Sequence, residues 1–374
     1  MEKYKINYKE IGAWAEVSAF APEYHVMVHV EPRGEKFAGQ YERILKAGDL
    51  LMQEPDFEGS AVVFKRYFVS DATNQRPDMK SEAGYGVSLI QQPPLDGSKI
   101  AMWLYIVKGG KLTIENGCNV LEHNGYRHIY KMGMHEHNGD SAAQTESLLL
   151  DYEETLARFN ATLEFNCIRT WFFVRDVDIQ YAGMVKARRK NFVEQGLTTK
   201  THYIASTGIG GLPADTRSII QLGTYALTGH ERSQVKFLYA PEYLNPTYEY
   251  GVTFERGTAV EYGDRAGIYI SGTASIDNKG NVLFIGDIEK QTLRMLENVD
   301  ALLKEAESGF QDVAQIIVYL RDINDYQIVK QIFDERFPDI PKVITLAPVC
   351  RPTWLIEMEC IAVAERKNDG VRKW

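Results

Sequence analysis

The chain has 374 residues, 44% hydrophobic and 25% charged, a composition with room for two or three hydrophobic cores. A formal net charge of −9, with no block of lysine or arginine, argues against nucleic acid as a partner and leaves a small anionic metabolite held by a few local arginines. The longest apolar runs, IAMWLYIV and IIVYL, fall far short of the roughly 18 residues a membrane span needs, and MEKYKINYKE lacks the apolar core of a secretory leader. No membrane partner and a cytoplasmic location are therefore expected.

In chain order, three segments share one plan. The first is QYERILKAGDLLM from Gln40, then GSAVVFKRYFVSD ending at Asp71, then KIAMWLYIV at 99–107. The second is QTESLLLDYEETLARFNATL from Gln144, then CIRTWFFVRD ending at Asp176, then SIIQLGTYALT at 218–228. The third is QTLRMLENVDALLKEAE from Gln291, then VAQIIVYLRD ending at Asp322, then LIEMECIAV at 355–363. The Gln-to-Asp separations are 31, 32 and 31 residues. Apolar spacing after each Gln predicts a helix, each apolar run before the Asp a buried strand, and NDYQIVKQIFDERF a second helix of the kind expected after every Asp. A glycine-rich hairpin is expected ahead of each Gln. The repeats therefore predict an α+β fold of three tandem units, at 1–110, 111–230 and 250–374, packed as an intrachain pseudo-trimer. The stretch around 230–250, with APEYLNPTYEYG, reads as a proline-punctuated linker.

The last strands single out the third unit. Glu357 aligns with Gln221 and Ala101, and Glu359 with Gly223 and Trp103, so only the third unit carries carboxylates at these positions. Two readings stand: a structural pair neutralised by arginines, or a Glu357 crowded by Glu359 and desolvated until it holds a proton near neutrality. Trp103 predicts a filled cavity and a scaffold role for the first unit. In the second unit, STGIGGLPADTR sets Thr207, Gly208, Gly210 and Gly211 in a loop whose backbone N–H groups are expected to meet an anion, with Arg217 following.

Other features read as bland. Arg188 and Arg189 in KARRKNF suit a solvated helix face. His128, His135 and His137 suit a solvated loop, so no metal is expected. Cys118, Cys167, Cys350 and Cys360 form no CxxC pair and predict free thiols, with Cys350 a small buried hydrophobe rather than a nucleophile. Ser271 and Ser275 in SGTASI lack the GxSxG elbow and are expected to bond within the sheet or to a ligand.

The third repeat, from AGIYISGTASID to LIEMECIAVA, resembles the YjgF-like family, also called the reactive-intermediate deaminase or Rid family, whose members share a trimeric chorismate-mutase-like fold. RTWFFVRDV with MVKARRKNF, ASTGIGG, SGTASI and CRPTWLIEME resemble its chorismatase branch more closely, although DNKGNVLF stands where that branch has a histidine-containing loop. The resemblance implies cofactor-free cleavage of the enol ether of chorismate or a related carboxylated substrate. Glu357 would be the acid/base, Arg351 and Arg217 would hold carboxylates, and Arg169, Glu359, Gly272 and Thr273 would line the site. A cysteine at 350 looks like the 3-hydroxybenzoate-forming type. Rid deaminases imply an alternative, imine or enamine deamination, with Lys342 in the place of a carboxylate-binding arginine. A non-catalytic metabolite-binding protein is the third possibility, and the chain is expected as a monomeric pseudo-trimer or a homo-oligomer.

Overall fold

The computed structural model describes residues 1–80 and 86–374. The first repeat runs β1 (Glu2–Tyr8), β2 (Ala13–Phe20), β3 (Glu23–Val30), α1 (Phe37–Leu51), β4 (Ser60–Val69), α2 (Ala72–Gln75), β5 (Gly86–Gln91) and β6 (Ile100–Lys108). The second runs β7 (Lys111–Glu115), β8 (Cys118–His123), β9 (Tyr126–His135), α3 (Ser141–Ala157), α4 (Leu163–Asn166), β10 (Cys167–Val174), α5 (Val177–Glu194), β11 (Ala205–Gly210), β12 (Leu212–Pro213) and β13 (Ile220–Thr228). The third runs β14 (Val235–Leu238), β15 (Gly257–Glu261), β16 (Arg265–Ala274), α6 (Ile288–Glu305), β17 (Val313–Leu320), α7 (Tyr326–Arg336), β18 (Lys342–Leu346) and β19 (Ile356–Glu365).

Each repeat builds one sheet of the same topology: β1-β2-β3-β6-β4-β5, β7-β8-β9-β13-β10-β11 and β14-β15-β16-β19-β17-β18, with β12 of the second repeat added to the edge of the first sheet. Among the described strand pairs, β4 with β5, β10 with β11 and β17 with β18 run parallel, as a crossover through a helix or a long connection requires. The fold is thus α+β, three units packed as an intrachain pseudo-trimer. Two details depart from the sequence reading. The stretch expected as a linker contributes β14 to the third sheet. After Asp71 the described residues form the four-residue α2 and a 3-10 turn at Arg76–Asp78, where the other repeats form α5 and α7.

The repeated glutamine has a structural purpose. Gln40 Oε1 accepts from the backbone N–H of Lys99, Gln144 Oε1 from Ile219 and Ile220, and Gln291 Oε1 from Leu355. Each side chain therefore satisfies the N–H just before, or opening, the last strand of its own repeat, a donor that has no strand partner there. The same bonds fix the equivalence of Ile100, Ile220 and Ile356, and hence of Ala101, Gln221 and Glu357.

Strand β6 shows why these segments read as continuous apolar runs. Ile100, Met102, Leu104 and Ile106 join the core under α1. Ala101, Trp103, Tyr105 and Val107 face the other way, into a core shared by all three sheets. Period-two alternation then places Gln221 and Gly223, and Glu357 and Glu359, on the inner faces where the repeats meet. Among the described residues no helix is long and apolar enough to cross a membrane.

Candidate active site

Although two residues apart on one face, the glutamates of β19 occupy different surroundings. Glu359, 2% exposed, accepts from Arg169 Nη2 at 2.9 Å and Trp171 Nε1 at 2.8 Å, and its Oε1 lies 3.6 Å from Arg66 Nη1. It is the carboxylate neutralised by arginines. Glu357, 5% exposed, faces a cavity of about 430 Å³ between the second and third repeats. Burial, reinforced by the charge of Glu359, raises its carboxyl to about 8, against the opposing pull of Arg169 and Arg256.

The third repeat contributes Glu357, Gly272, Ala274 and Ile276, with Cys350, Arg351 and Trp354 beside them. The second contributes Ser206 and Gly208 from β11 and one face of α5, while Val252, Phe254 and Arg256 come from the segment entering the third sheet. A β-bulge between Ile270 and Thr273 leaves Gly272 against the acid, where an added Cβ would stand 2.1 Å from Glu357 Oε1. Only hydrogen fits there. Five lining side chains, Lys186, Arg188, Arg189, Arg256 and Arg351, are basic, whereas Glu357 is the one acid. A cleft of one sign focuses field toward an anionic ligand even in a chain of net charge −9.

Arg188 corrects the reading of KARRKNF as a solvated face. Tyr181, Val185, Arg188 and Arg189 all line the cavity, and Arg188 is 1% exposed, its guanidinium 5.5 Å from the Phe172 ring centroid. Positions 181, 185, 188 and 189 fall on one stripe of α5, a signal the sequence did hold. Arg189 donates to the carbonyl of Gly251, tying α5 to the connecting segment. Arg256, anchored by the carbonyl of Asn245 at 2.9 Å, carried no comparable signal.

Other anticipated residues are placed elsewhere. The TGIGG stretch is strand β11 rather than an anion-binding loop, because its backbone pairs in parallel with β10. Ser206 and Gly208 face the cavity, while Thr207 faces inward and accepts from Arg169 Nη2 at 2.5 Å and Gly272 N at 2.9 Å. Gly210 N bonds to Pro348 O and Gly211 N to Val174 O, both in a separate surface cleft. Arg217 is exposed on Asp215 at 2.8 Å and does not line the cavity. Arg169 supports Glu359 rather than lining the cavity, and Thr273 Oγ1 turns back onto Ser271 O. Cys350 and Arg351 do line it, the latter over the Trp354 ring.

Burial and the nearby Glu357 charge push the Cys350 thiol up to about 12, which suits a small apolar wall rather than a thiolate nucleophile. Ser271 bonds Glu255 O and receives Ser206 N, joining the two repeats beside the cavity, and Ser275 Oγ bonds Leu283 O. His135, His137 and Asp215 bring ligating atoms within 4.8 Å of one another, but Asp215 is already engaged by Arg217. His128 is buried and bonded to the Tyr225 hydroxyl, so the solvated loop expected of it is not found.

Equivalent positions at the other two junctions carry no carboxyl group. Gln221 bonds Ser88 Oγ at 3.0 Å beside a cavity of about 200 Å³, and Ala101 presents only a methyl group beside the fully buried Trp103.

Residues 258–364 match the family model described as Endoribonuclease L-PSP. A RutC family protein of Pyrococcus abyssi is 36% identical over 100 residues, 26% of this chain and 79% of that protein. The 3-aminoacrylate deaminase RutC of Acinetobacter baylyi is 30% identical over 97 residues, 25% of this chain and 77% of that protein. A chorismatase crystal structure superposes with a TM-score of 0.66 at 19% identity, covering 83% of this chain and 96% of the other. The chain belongs to the YjgF-like, or Rid, family, as three tandem Rid-like units in the fold of a chorismatase.

Proposed function

We propose that the chain is an enzyme that cleaves the enol ether of chorismate or a related small carboxylated substrate and releases pyruvate. The observation that carries this reading is the buried Glu357, its carboxyl raised to about 8, in the wall of a cavity that Arg188, Arg189, Arg256 and Arg351 also line. The Glu357 carboxyl proton goes to the terminal methylene carbon of the enolpyruvyl group, leaving an oxocarbenium ion at the ether carbon. Water adds to that carbon and returns a proton to the Glu357 carboxylate. The hemiketal then collapses to pyruvate and the ring alcohol. Arg351, Arg188, Arg189 and Arg256 bind the substrate carboxylates and offset charge during the transfer. Cys350, beside Glu357, shapes which ring product leaves. The chorismatase fold match favours this reading over deamination. So does Lys342, which lies outside the cavity with its Nζ on Phe337 O, while Ser206 holds the equivalent place beside Glu357.

The test is pyruvate release from chorismate by the purified chain and by Glu357→Gln. General acid catalysis contributes roughly 100- to 10,000-fold, so the variant should lose that much in kcat. Equal rates would remove Glu357 as the acid, and no pyruvate from either would remove chorismate as the substrate. Tight binding of chorismate by both without turnover would instead identify a metabolite-binding protein.

A further inference from the structure

The first repeat lines no part of the cavity, yet it places one side chain behind it. Arg66 on β4 stands opposite Trp103, in the register position that Trp171 and Ile317 hold in the other repeats. All three positions face the junction where the sheets converge. The Arg66 guanidinium is 0% exposed and packed against the rings of Trp103, Trp171 and Phe173 at 5.2, 5.0 and 4.9 Å. None of its nitrogens has a hydrogen-bond partner among the described residues, and its one ion pair is with Glu359 at 3.6 Å. A cation taken this far from water without hydrogen bonds is costly, so its charge has to be compensated through Glu359 and the ring faces.

Glu359 thus receives one contact from the first repeat and two from the second, while belonging to the third. We propose that Arg66 is a positioning residue for the site formed by the other two repeats: it holds Glu359 as the ionised member of the carboxyl pair, so that the proton the pair retains sits on Glu357. This rests on Glu357 being the acid of the proposed reaction. The groups that bear on the pair are Arg66 from β4, Arg169 from β10, Tyr319 from β17, Arg256 ahead of β15, and Cys350 and Cys360 from the third repeat. Of these, Arg66 faces Glu359, whereas Arg169 acts on both carboxyls. Arg66 therefore discriminates between the two, and its effect on Glu357 passes through Glu359. The first repeat is then more than the scaffold that Trp103 suggested.

The test is a carboxyl 13C NMR titration of glutamate-labelled protein, with signals assigned by their loss in Glu357→Gln and Glu359→Gln. It needs no substrate, so a chain inactive on chorismate still decides it. In Arg66→Met the pair takes up its second proton about 1 to 3 pH units higher than in the wild type, and near neutrality part of the Glu357 proton moves to Glu359. Arg66→Lys, while its amine stays charged, keeps the wild-type curves. Glu359→Gln lowers the Glu357 step, and adding Arg66→Met to it changes nothing further, because Arg66 acts through Glu359. That double variant is read by itself if Arg66→Met does not fold. Unmoved signals in folded Arg66→Met, or a further Glu357 shift in the double variant, would overturn the proposal.

Discussion

Replacing Glu357 by glutamine should make the protein more stable in alkaline solution while removing its activity. The carboxyl rises from its ordinary 4.5 to about 8 on folding. Between those values the native state holds a proton that the unfolded chain has released, so wild-type stability falls as pH rises through the window. Every tenfold difference in proton affinity between the two states corresponds to about 1.4 kcal/mol, which gives a ceiling of about 5 kcal/mol above the window. Glutamine keeps the shape of the protonated acid and cannot ionise. The two proteins should therefore unfold at similar urea concentrations near the acid end, diverge as pH rises to about 8 and keep that separation above it, the variant being the more stable. The assay is urea unfolding of both across that range, with the difference in free energy plotted against pH. A difference that stays constant, or grows toward acid, would refute the argument that Glu357 is buried as the neutral acid.

Two further substitutions probe the elements that hold the acid. Gly272→Ala forces a Cβ to within 2.1 Å of Glu357 Oε1, so the carboxyl must move by about 1 Å to reach ordinary contact. Displacements of that size cost about 100-fold in rate, measurable as pyruvate release, and full activity would show that the acid tolerates another position. Gln291→Ala leaves the Leu355 N–H without the acceptor it now reaches at 2.9 Å. The expected loss is about 1–3 kcal/mol in urea unfolding, and an unchanged midpoint would separate the repeated glutamine from strand placement.

The parts of the fold legible in the sequence were those set by local periodicity. Gln40, Gln144 and Gln291 could be found by spacing because each binds a backbone group of its own repeat, so the constraint recurs with the repeat. Glu357 was legible because a carboxylate in an apolar strand is conspicuous whatever covers it. Arg188 was harder to read, because the basic run is exposed at Lys186, Arg189 and Lys190, and the residue between them is buried by tertiary packing, its guanidinium against the Phe172 ring and 3.4 Å from Ser206 Oγ. Glycine spacing likewise suggested an anion loop at TGIGG. What decided otherwise was pairing: β10 runs parallel beside the stretch, Ser206 N bonds Ser271 Oγ, Gly210 N bonds Pro348 O, and Ser206 and Gly208 become part of the cavity wall. Arg217 shows the converse: Asp215, two residues away, is its partner, and a near neighbour in sequence satisfied the charge before any ligand was needed.

Fusion of the three units explains how such a site can be built at all. In a trimer of identical chains, every inner-face position carries the same residue at all three junctions. A glutamate pair there would bring six carboxyls toward one desolvated centre, and an arginine at the position of Arg66 would bring three guanidinia. Neither set can be neutralised by the other unless both are present in every chain. A single chain is free of that constraint. Here one repeat supplies Glu357 and Glu359, another Arg169 and Trp171, and the remaining one Arg66, so that one carboxyl group, that of Glu359, meets two guanidinia. Gln221 and Ala101 leave the other junctions without a competing acid. On the proposed reading, the absence of acids at the other two junctions is the condition under which the third can present Glu357 to a ligand while Glu359 is engaged by arginines.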